Sequence, residues 1–344
     1  MTAEIGAHQL DQIAAHVRQP SDALVEALAR TDGDIAVIGA AGKMGVSLTR
    51  MAAAALDRLP GGRRVVAVSR FSDPDARAEL DAAGVRTVVA DVADPGSLQA
   101  LPDAANVVYL VGRKFGTSSD SSATWFTNTV LPSVVLDRYR GARVVALSSG
   151  NVYPFSAPVT GGCAEETPYG PVGDYAQSCV GREQVIVHRS VTQQTPTTLV
   201  RLNYAVDCRY GVLTDIARAV QAGEAVDLSQ GAVNVVWQGD ANRYCLSALT
   251  LADVPPAILN VTGPETVSVR WLAEELGQRL GRSPVLTGEE APTALLSNAS
   301  RCHALFGYPD VPLATMLDWT VAWLTGGGAL LDKPTGFGTR DGRF

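Results

Sequence analysis

A short apolar run followed by three evenly spaced glycines constrains this chain more than any other feature. Residues 35–38 (IAVI) are small or branched, which is typical of a fully buried parallel strand. Gly39, Gly42 and Gly45 follow at G-x-x-G-x-x-G spacing, and from Met44 onward the pattern is that of a helix rich in Ala and Leu. Gly39 would allow a tight turn, Gly42 would let backbone N–H groups approach a pyrophosphate, and Gly45 would let the helix pack closely on the strand. The order strand, glycine turn, helix therefore predicts a dinucleotide site, the alternative being a loop that simply needs glycine.

Composition and charge exclude several classes of protein. The 344 residues are enough for one large or two modest domains. Hydrophobic content of 46% with 18% charged residues is typical of a soluble globular protein. The net charge of −7, without any basic run, argues against nucleic-acid binding, and no apolar stretch is as long as a membrane span.

The cysteines and histidines predict neither disulfides nor a metal site. The five cysteines are scattered, odd in number and without a C-x-x-C pair, which indicates reduced thiols. The four histidines show no ligand spacing. Residues 1–12 lack the basic start and apolar core of a signal peptide. We therefore predict a cytoplasmic protein with no bound metal.

Strand-like and helix-like segments alternate along the chain. Residues 8–30 carry apolar residues at helical spacing, broken at Pro20 into two helices with Ser21 or Asp22 as the predicted N-cap. The alternation that follows predicts a doubly wound parallel α/β sheet. The predicted strands are residues 35–38, 63–70, 85–90, 106–111 and 143–147, and the predicted helices include residues 75–83 and 123–138.

The end of the second predicted strand indicates which dinucleotide binds. NAD-selective sites place an acidic residue there to hold the ribose 2′-hydroxyl, whereas this chain has Ser69 and Arg70. A guanidinium forms charge-assisted bonds to a 2′-phosphate, and Lys43 in the glycine turn adds a second positive charge. We therefore predict that NADP(H) is favoured over NAD(H). The alternative for Arg70 is a solvated side chain at a strand end.

Motifs beyond the glycine turn resemble those of one enzyme family. Ser149 lies in SSGNVYP, Tyr175 in EETPYGPVGDYAQSCVGREQVI and Asp240 in NVVWQGDANRYCLSAL, and LNVTGPETVSVRWLAEELGQRLGR follows. From about residue 34 to about residue 324 the chain resembles the extended short-chain dehydrogenase/reductases, also called the NAD-dependent epimerase/dehydratase family. Its loop GRKFG looks most like the matching loop of UDP-galactose 4-epimerases.

The resemblance implies a Rossmann-type sheet domain with a smaller C-terminal α/β substrate-binding domain. It also implies a homodimer, in which the helices at residues 123–138 and 175–189 pair with those of a second copy. The implied divisions are a helical extension at 1–33, a dinucleotide-binding domain at 34–203 to which about 230–262 return, a substrate-binding domain at 204–229 and 263–325, and a tail at 326–344.

The resemblance also implies the residues of the site. Ser149 corresponds to the catalytic hydroxyl and Tyr175 to the catalytic tyrosine. The implied cofactor-binding residues are Gly39, Gly42, Lys43, Met44, Gly45, Ser69, Arg70, Asp91, Val92, Val111, Gly112 and Lys114. The candidate substrate-binding residues are Asn128, Asn151, Arg201, Asn203, Arg209 and Arg243, although a structural ion pair accounts equally well for Arg201.

One position departs from the family motif. Where Y-x-x-x-K requires a lysine, this chain has Cys179. In the family this lysine lowers the pKa of the tyrosine and binds the nicotinamide ribose. A free tyrosine has a pKa near ~10, so proton transfer at neutral pH calls for another cation. Arg182, about two helical turns after Tyr175, and the loop residues Arg113 and Lys114 are the candidates.

Cys179 itself has three interpretations. It is a small packing residue, a redox or covalent centre, or a neutral replacement in a site that no longer needs a tyrosine phenolate. The covalent interpretation requires a low thiol pKa and a nearby positive charge. Packing is the default for an unpaired cysteine.

These observations predict an NAD(P)-dependent oxidoreductase or epimerase acting on a hydroxyl or keto carbon of a carbohydrate-like substrate. The partner is a small molecule, with neither nucleic acid nor membrane involved. Gly150 and Asn151 stand where sugar-nucleotide 4,6-dehydratases carry an acidic pair, which disfavours dehydration. The alternatives are a redox-neutral isomerase or lyase that uses Ser149 and Tyr175, and a non-catalytic NADP(H)-binding regulatory protein.

Overall fold

A seven-stranded parallel sheet forms the centre of the computed structural model, which describes residues 7–331, 333 and 335–343. The strands run in the order β3-β2-β1-β4-β5-β6-β11, so the direction of winding reverses between β1 and β4. This is the doubly wound α/β fold predicted from the sequence. The strands are β1 Ile35–Ile38, β2 Val65–Ser69, β3 Arg86–Val89, β4 Asn106–Tyr109, β5 Arg143–Ser149, β6 Thr197–Leu202, β7 Ala205–Val206, β8 Ala225–Asp227, β9 Ala232–Val233, β10 Val236–Trp237, β11 Ala257–Val261, β12 Val267–Ser268 and β13 Val285–Thr287.

Helices cover both faces of this sheet and build a second lobe. Two-stranded pairings β7–β10, β8–β13 and β9–β12 belong to the second lobe. The helices are α1 Ala7–His16, α2 Asp22–Ala29, α3 Gly45–Leu56, α4 Pro74–Ala82, α5 Pro95–Gln99, α6 Ser121–Trp125, α7 Leu131–Arg138, α8 Gly173–Gln193, α9 Val212–Ala222, α10 Gln238–Ser247, α11 Val269–Leu280, α12 Ser300–Phe306 and α13 Leu313–Thr325.

The apolar core is divided between these two lobes. Strands β1, β4 and β5 are almost entirely buried, and their side chains alternate between a cluster on each face of the sheet. A third cluster joins α9, α11 and α13 in the second lobe. In the N-terminal extension, α2 packs on the sheet while α1 packs on the second lobe, since Leu24 belongs to the first cluster and Ile13 to the third.

The segment predicted as one helix over residues 123–138 is interrupted. A π-helical turn at Phe126–Val130 separates α6 from α7. Pro132 has no N–H to donate to the carbonyl of Asn128, which an uninterrupted α-helix would require. The Asn128 carbonyl instead accepts a bond from Nε of Arg182 at 3.4 Å. Proline therefore places Asn128 at a break in the helix that periodicity alone does not reveal.

Candidate active site

The glycine turn after β1 has the backbone that the fingerprint requires. Gly39 has φ +92°, in the left-handed region that glycine tolerates. A Cβ on Gly45 would lie 2.5 Å from the carbonyl oxygen of Ala40, so only glycine lets α3 begin this close to β1. Gly42 is nearly as crowded, since a Cβ there would lie 3.2 Å from the carbonyl oxygen of Gly39. The turn therefore directs the N-terminus of α3 to the carboxyl edge of the sheet, where β1 and β4 diverge.

The ends of β2 and β3 lie beside this turn. Ser69 ends β2, and the exposed Arg70 makes no hydrogen bond or ion pair with the described residues. The Asp91 carboxylate accepts a bond from the backbone N–H of Ala93 at 2.9 Å, and Val92 is buried beside it. Arg70 is thus available to a ligand, whereas Asp91 is partly used in its own turn.

Ser149 and Tyr175 meet at the carboxyl edge of the sheet. Ser149 is the last residue of β5, which is two residues longer than predicted, and its Oγ accepts a bond from Nδ2 of Asn151 at 3.0 Å. Tyr175 lies in the first turn of α8, and both Ser149 and Cys179 are close enough to its hydroxyl to influence the pKa of that group. Burial of the hydroxyl raises the pKa of Tyr175 well above its usual value, and Arg182 opposes that rise only in part. The phenol is therefore protonated at neutral pH.

Cys179 is completely buried one helical turn beyond Tyr175. It packs in a small cluster with Val152, Tyr153 and Cys163. Desolvation raises the pKa of the Cys179 thiol, although Arg182 and Lys114 act in the opposite direction. A buried thiol of raised pKa forms little thiolate, so its surroundings favour packing over covalent chemistry.

Two of the three candidate cations lie near Tyr175. Arg182 is buried against the end of β5, where its Nη1 donates to the carbonyl of Leu147 at 2.9 Å. A Cβ on Gly112 would lie 2.6 Å from Nη2 of Arg182, which explains the glycine after β4. Lys114 Nζ lies 5.8 Å from the ring centroid of Tyr175. Arg113 instead reaches the exposed carboxylate of Asp120, at 3.4 Å.

Lys43 and Lys114 form a cationic wall beside the glycine turn. Lys43 Nζ lies 3.4 Å from the ring centroid of Tyr210 and 4.8 Å from that of Phe115. Lys114 Nζ lies 5.5 Å from the same Phe115 ring. The pKa of each lysine is lowered to about 8, chiefly by burial, and the positive charge of Lys114 contributes to the shift of Lys43. Lys43 thus contacts aromatic rings at this wall, and its role as a second positive charge for a 2′-phosphate stays a prediction.

Asn128 is held by structural contacts. Its side chain is fully buried, and its amide bonds to both the N–H and the carbonyl of Arg113, each at 2.9 Å. It also donates to Oγ of Ser178 at 2.8 Å and accepts from Nη2 of Arg182. All four bonds of the amide are therefore made within the protein, which suits Asn128 to positioning the loop after β4.

Three further candidates for substrate binding also have protein partners. Arg201 is buried against the Glu183 carboxylate, with Nη2 to Oε2 at 2.7 Å, so the ion-pair interpretation accounts for its burial. Arg243 is buried between Asp240 and the carbonyl of Phe306. Asn203 donates to Oδ1 of Asn234 at 2.9 Å.

The remaining candidates are partly or fully exposed. Arg209 is partly exposed and pairs with Asp207 at 2.9 Å. Val111 and Gly112 carry the chain from β4 to Lys114, with Gly112 exposed. Met44 is the N-cap residue of α3 and makes no side-chain capping bond.

Sequence reasoning missed the aromatic and C-terminal parts of the site. Tyr210 and Phe115 contact Lys43, and Thr335 of the tail bonds to Lys114. The pattern GRKFG contained Phe115. Nothing in the sequence indicated that Tyr210 would contact Lys43 or that Thr335 would contact Lys114.

Neither a cluster of metal ligands nor a membrane-spanning helix is present in the part of the chain that the structure describes. Over residues 7–331, 333 and 335–343, no group of three or more His, Cys, Asp or Glu side chains is arranged to hold a metal ion. In the same part of the chain, no helix has the length and apolar character needed to span a membrane.

Known proteins resemble this chain in fold. No protein-family model and no curated protein matches the sequence. A complex of MoeE5 with UDP-glucuronic acid and NAD has a TM-score of 0.70 at 19% identity, covering 85% of this chain and 99% of that one. A second similar structure is that of a DesIV double mutant, a dTDP-glucose 4,6-dehydratase from Streptomyces venezuelae, with NAD and DAU bound. Its TM-score is 0.72 at 21% identity, covering 84% of this chain and 96% of that one.

A UDP-glucose 4-epimerase from Thermotoga maritima, solved with UDP-glucose, is similar to the same degree. Its TM-score is 0.68 at 18% identity, covering 85% of this chain and 98% of that one. Identities this low establish that the fold is shared. They leave the chemistry to be argued from the residues of this chain.

Proposed function

We propose that the chain is a nicotinamide-dinucleotide-dependent oxidoreductase or epimerase of the extended short-chain dehydrogenase/reductase type, acting on a hydroxyl or keto carbon of a carbohydrate-like substrate. The meeting of the Ser149 and Tyr175 hydroxyls at the carboxyl edge of the sheet carries this proposal. The glycine turn lies at the same edge, so a dinucleotide there would reach the two hydroxyls. Similar structures of nucleotide-sugar enzymes solved with NAD support the same proposal.

The residues of the crevice fit a nicotinamide dinucleotide. A Cβ on Gly45 would collide with Ala40, and a Cβ on Gly39 or Gly42 would make a tight contact, so the turn stays bare of side chains at the N-terminus of α3. Backbone N–H groups of this turn would hold the pyrophosphate, and the residues after β2 would hold the adenosine ribose. When bound, the cofactor supplies or accepts a hydride at the substrate carbon.

Tyr175 is suited to donate a proton. Because burial keeps its phenol protonated at neutral pH, its hydroxyl can protonate the oxygen of a carbonyl that is being reduced. Ser149, beside that hydroxyl, would hold the same substrate oxygen. Removing a proton from a substrate alcohol in the reverse direction requires the phenolate, which is scarce at neutral pH.

Lys114 and Arg182 together take the place of the motif lysine. Arg182 lowers the pKa of Tyr175 through its charge, from beneath the end of β5. Lys114 lies on the side of the ring that faces the loop after β4. A pKa of about 8 lets Lys114 carry its charge at neutral pH and also release it in mild alkali. The two cations supply positive charge without the steric demand of a lysine at Cys179.

A non-catalytic role in cofactor sensing is the second candidate. It is favoured by the missing lysine and by the raised pKa of Tyr175, which together weaken base catalysis. Both functions require dinucleotide binding, and turnover separates them.

Calorimetric titration with NAD(H) and NADP(H) tests the binding step. Gly45→Ala should abolish binding, because its methyl group would collide with Ala40 and move the first turn of α3. Gly96→Ala is the matched control, since that first-turn glycine of α5 has only an ordinary contact, 3.4 Å from Asp94. Failure of the unmodified protein to bind either dinucleotide would overturn the proposal.

Turnover is tested by following reduced cofactor across a panel of keto and aldehyde sugars, free and nucleotide-linked. Tyr175→Phe should lower the rate at least 100-fold while leaving cofactor affinity unchanged. Tyr308→Phe, which removes a hydroxyl from an exposed side chain, should leave both unchanged. Binding without turnover on any member of the panel would favour the sensing role.

The choice between NADP(H) and NAD(H) belongs to the same titration. Arg70 predicted NADP(H), whereas similar structures solved with a nicotinamide cofactor contain NAD. Arg70 is exposed and free to approach a 2′-phosphate, while the end of β2 carries no carboxylate that would select NAD(H). We therefore propose that a nicotinamide dinucleotide binds here. The Arg70→Ala variant tests whether the preferred dinucleotide carries a 2′-phosphate.

A further inference from the structure

The C-terminal residues 335–343, which we call the strap, cross the opening between the two lobes. The strap contacts the sheet lobe at Lys114 and at Gly173, the first residue of α8. It contacts the second lobe at Asp215 and at Thr293. Since Lys114 lies over Tyr175 and Gly173 is two residues before it, both sheet-lobe contacts lie at the edge that carries the proposed reaction.

Thr335 links the two lobes directly. Its carbonyl accepts a bond from Nζ of Lys114 at 3.1 Å, while its backbone N–H and Oγ1 donate to Oδ2 of Asp215 at 2.8 and 2.6 Å. Thr335 is 6% exposed. The strap therefore engages the cationic wall beside the glycine turn through a backbone carbonyl, the kind of polar group a substrate would also present.

The far end of the strap docks backbone against backbone. Gly342 and Gly173 both have positive φ, +73° and +81°. A Cβ on Gly342 would lie 2.2 Å from the carbonyl oxygen of Val172, and a Cβ on Gly173 would lie 2.5 Å from the carbonyl oxygen of Gly342. Two glycines are therefore needed for the strap to lie this close to the start of the Tyr175 helix.

Between these ends the strap is held by few contacts. Arg340 donates hydrogen bonds to the side chain of Gln230, at 3.0 Å, and to the carbonyl and hydroxyl of Thr293. Its guanidinium lies 4.2 Å from the ring centroid of Phe155. Phe337 is the apolar anchor, packed on the core of the second lobe. No residue of the strap lies in a helix or strand. An element held by a few side chains opens at much lower free energy than the core does.

We propose that the strap is a lid over the Ser149–Tyr175 cleft, closed in the unliganded protein and displaced when substrate or cofactor enters. Its latches are Thr335 at one end, the Gly342–Gly173 contact at the other, and Arg340 between them. The apparent affinity of any ligand of the cleft is then its intrinsic affinity multiplied by the fraction of molecules in which the lid is open. The identity of that ligand rests on the proposed function, but the lid itself does not.

Gly342→Ala is the sharpest perturbation, because one methyl group is incompatible with the docked end. Gly327→Ala is its matched control: Gly327 has the same φ of +73°, and nothing lies within 4 Å of its added Cβ. A second pair is Arg340→Ala with Arg343→Ala, since Arg343 is exposed and its side chain pairs with Asp341, at 3.8 Å, among the residues that the structure describes. Each pair makes the same chemical change on and off the latch.

Hydrogen exchange of the unliganded variants, read by mass spectrometry, tests the lid without any ligand. Gly342→Ala and Arg340→Ala should raise exchange at least fivefold in the strap and in peptides covering residues 112–116 and 149–153. The two controls should match the unmodified protein. Unchanged protection of residues 112–116 and 149–153 in both latch variants would overturn the lid, whatever ligand the protein binds.

Stopped-flow fluorescence with NADH or NADPH as the probe then tests the consequence for entry. The association rate constant should rise at least threefold in Gly342→Ala and stay unchanged in Gly327→Ala. Raised exchange with an unchanged association rate would also overturn the lid, because the strap would not control access. If the unmodified protein binds neither nucleotide, the proposed function fails while the exchange experiment still decides the lid.

Discussion

The buried ion pair between Arg201 and Glu183 allows a prediction whose size follows from the structure. Arg201 lies on β6 and Glu183 on α8, and their side chains are 2% and 0% exposed. Both Nε and Nη2 of Arg201 donate to the carboxylate, at 3.0 and 2.7 Å. Glu183 also accepts from Ser148 and Tyr169, so the pair joins the two strands and the helix that position Ser149 and Tyr175.

The perturbation is Arg201→Met, which keeps much of the apolar stem and removes the charge. Glu183 would remain buried with two neutral hydroxyl donors, from Ser148 and Tyr169. Removing one partner of a buried pair costs about 3–5 kcal/mol, because the other charge stays desolvated and unpaired. The double variant Arg201→Met/Glu183→Gln removes that charge and should therefore be more stable than Arg201→Met alone.

The assay is urea unfolding followed by circular dichroism, with Arg270→Met as the control. Arg270 and Glu290 form a pair of similar length, 2.8 Å, but their side chains are 45% and 43% exposed. Breaking an exposed pair should cost about 0–1 kcal/mol. The reasoning is refuted if Arg201→Met costs no more than Arg270→Met, or if the double variant is as unstable as Arg201→Met.

Four further predictions test other parts of the site. Arg70→Ala should weaken NADP(H) binding by about 1–3 kcal/mol and leave NAD(H) binding unchanged in calorimetry. An equal loss of affinity for both dinucleotides would show that Arg70 does not contact a 2′-phosphate. Cys179→Lys should lower the free energy of unfolding by about 1–3 kcal/mol relative to Cys179→Ser, because a long side chain would enter a packed cluster beside Arg182. Urea unfolding that finds the lysine variant more stable would contradict this prediction. For Lys43, the unfolded chain holds its proton up to about pH 10.4 while the folded chain loses it near 8. The unfolded state therefore binds more protons between those values, and stability should rise with pH there in the unmodified protein but less in Lys43→Met, measured by urea unfolding from pH 7 to 10. An apolar patch beside α8 is exposed and consists of Trp125, Phe126 and Val130. Light scattering should therefore report a dimer at micromolar concentration, and Phe126→Glu should convert it to a monomer. A monomeric unmodified protein would count against this interface.

Features that depend on neighbouring residues could be predicted from the sequence. The strand, the glycine turn and the first turn of α3 are successive in the chain, and their conformations follow from branched side chains, positive φ and helical periodicity. The parallel α/β sheet follows from the alternation of strands and helices, because parallel strands require crossover connections. Ser149 and Tyr175 were identified from motifs, and the fold brings both to the same edge of the sheet.

Features that depend on side chains meeting across the fold could not be predicted. The sequence offered three equivalent cations, Arg182, Arg113 and Lys114. In the structure, Arg113 pairs with Asp120. Arg182 instead bonds to Asn128 at the helix break, Phe126–Val130. A long flexible side chain reaches several positions, so its partner is selected by the packing of the elements around it.

The C-terminal residues show the same limit most clearly. A glycine-rich polar segment has no periodicity and buries little apolar surface, so its composition predicts only that it lies at the surface. Thr335 and Lys114 are 221 positions apart, and their contact exists because α9 and the loop after β4 lie on opposite sides of one cleft. Local sequence determines how each element is built, whereas the closing of the cleft depends on where the folded lobes place the last residues of the chain.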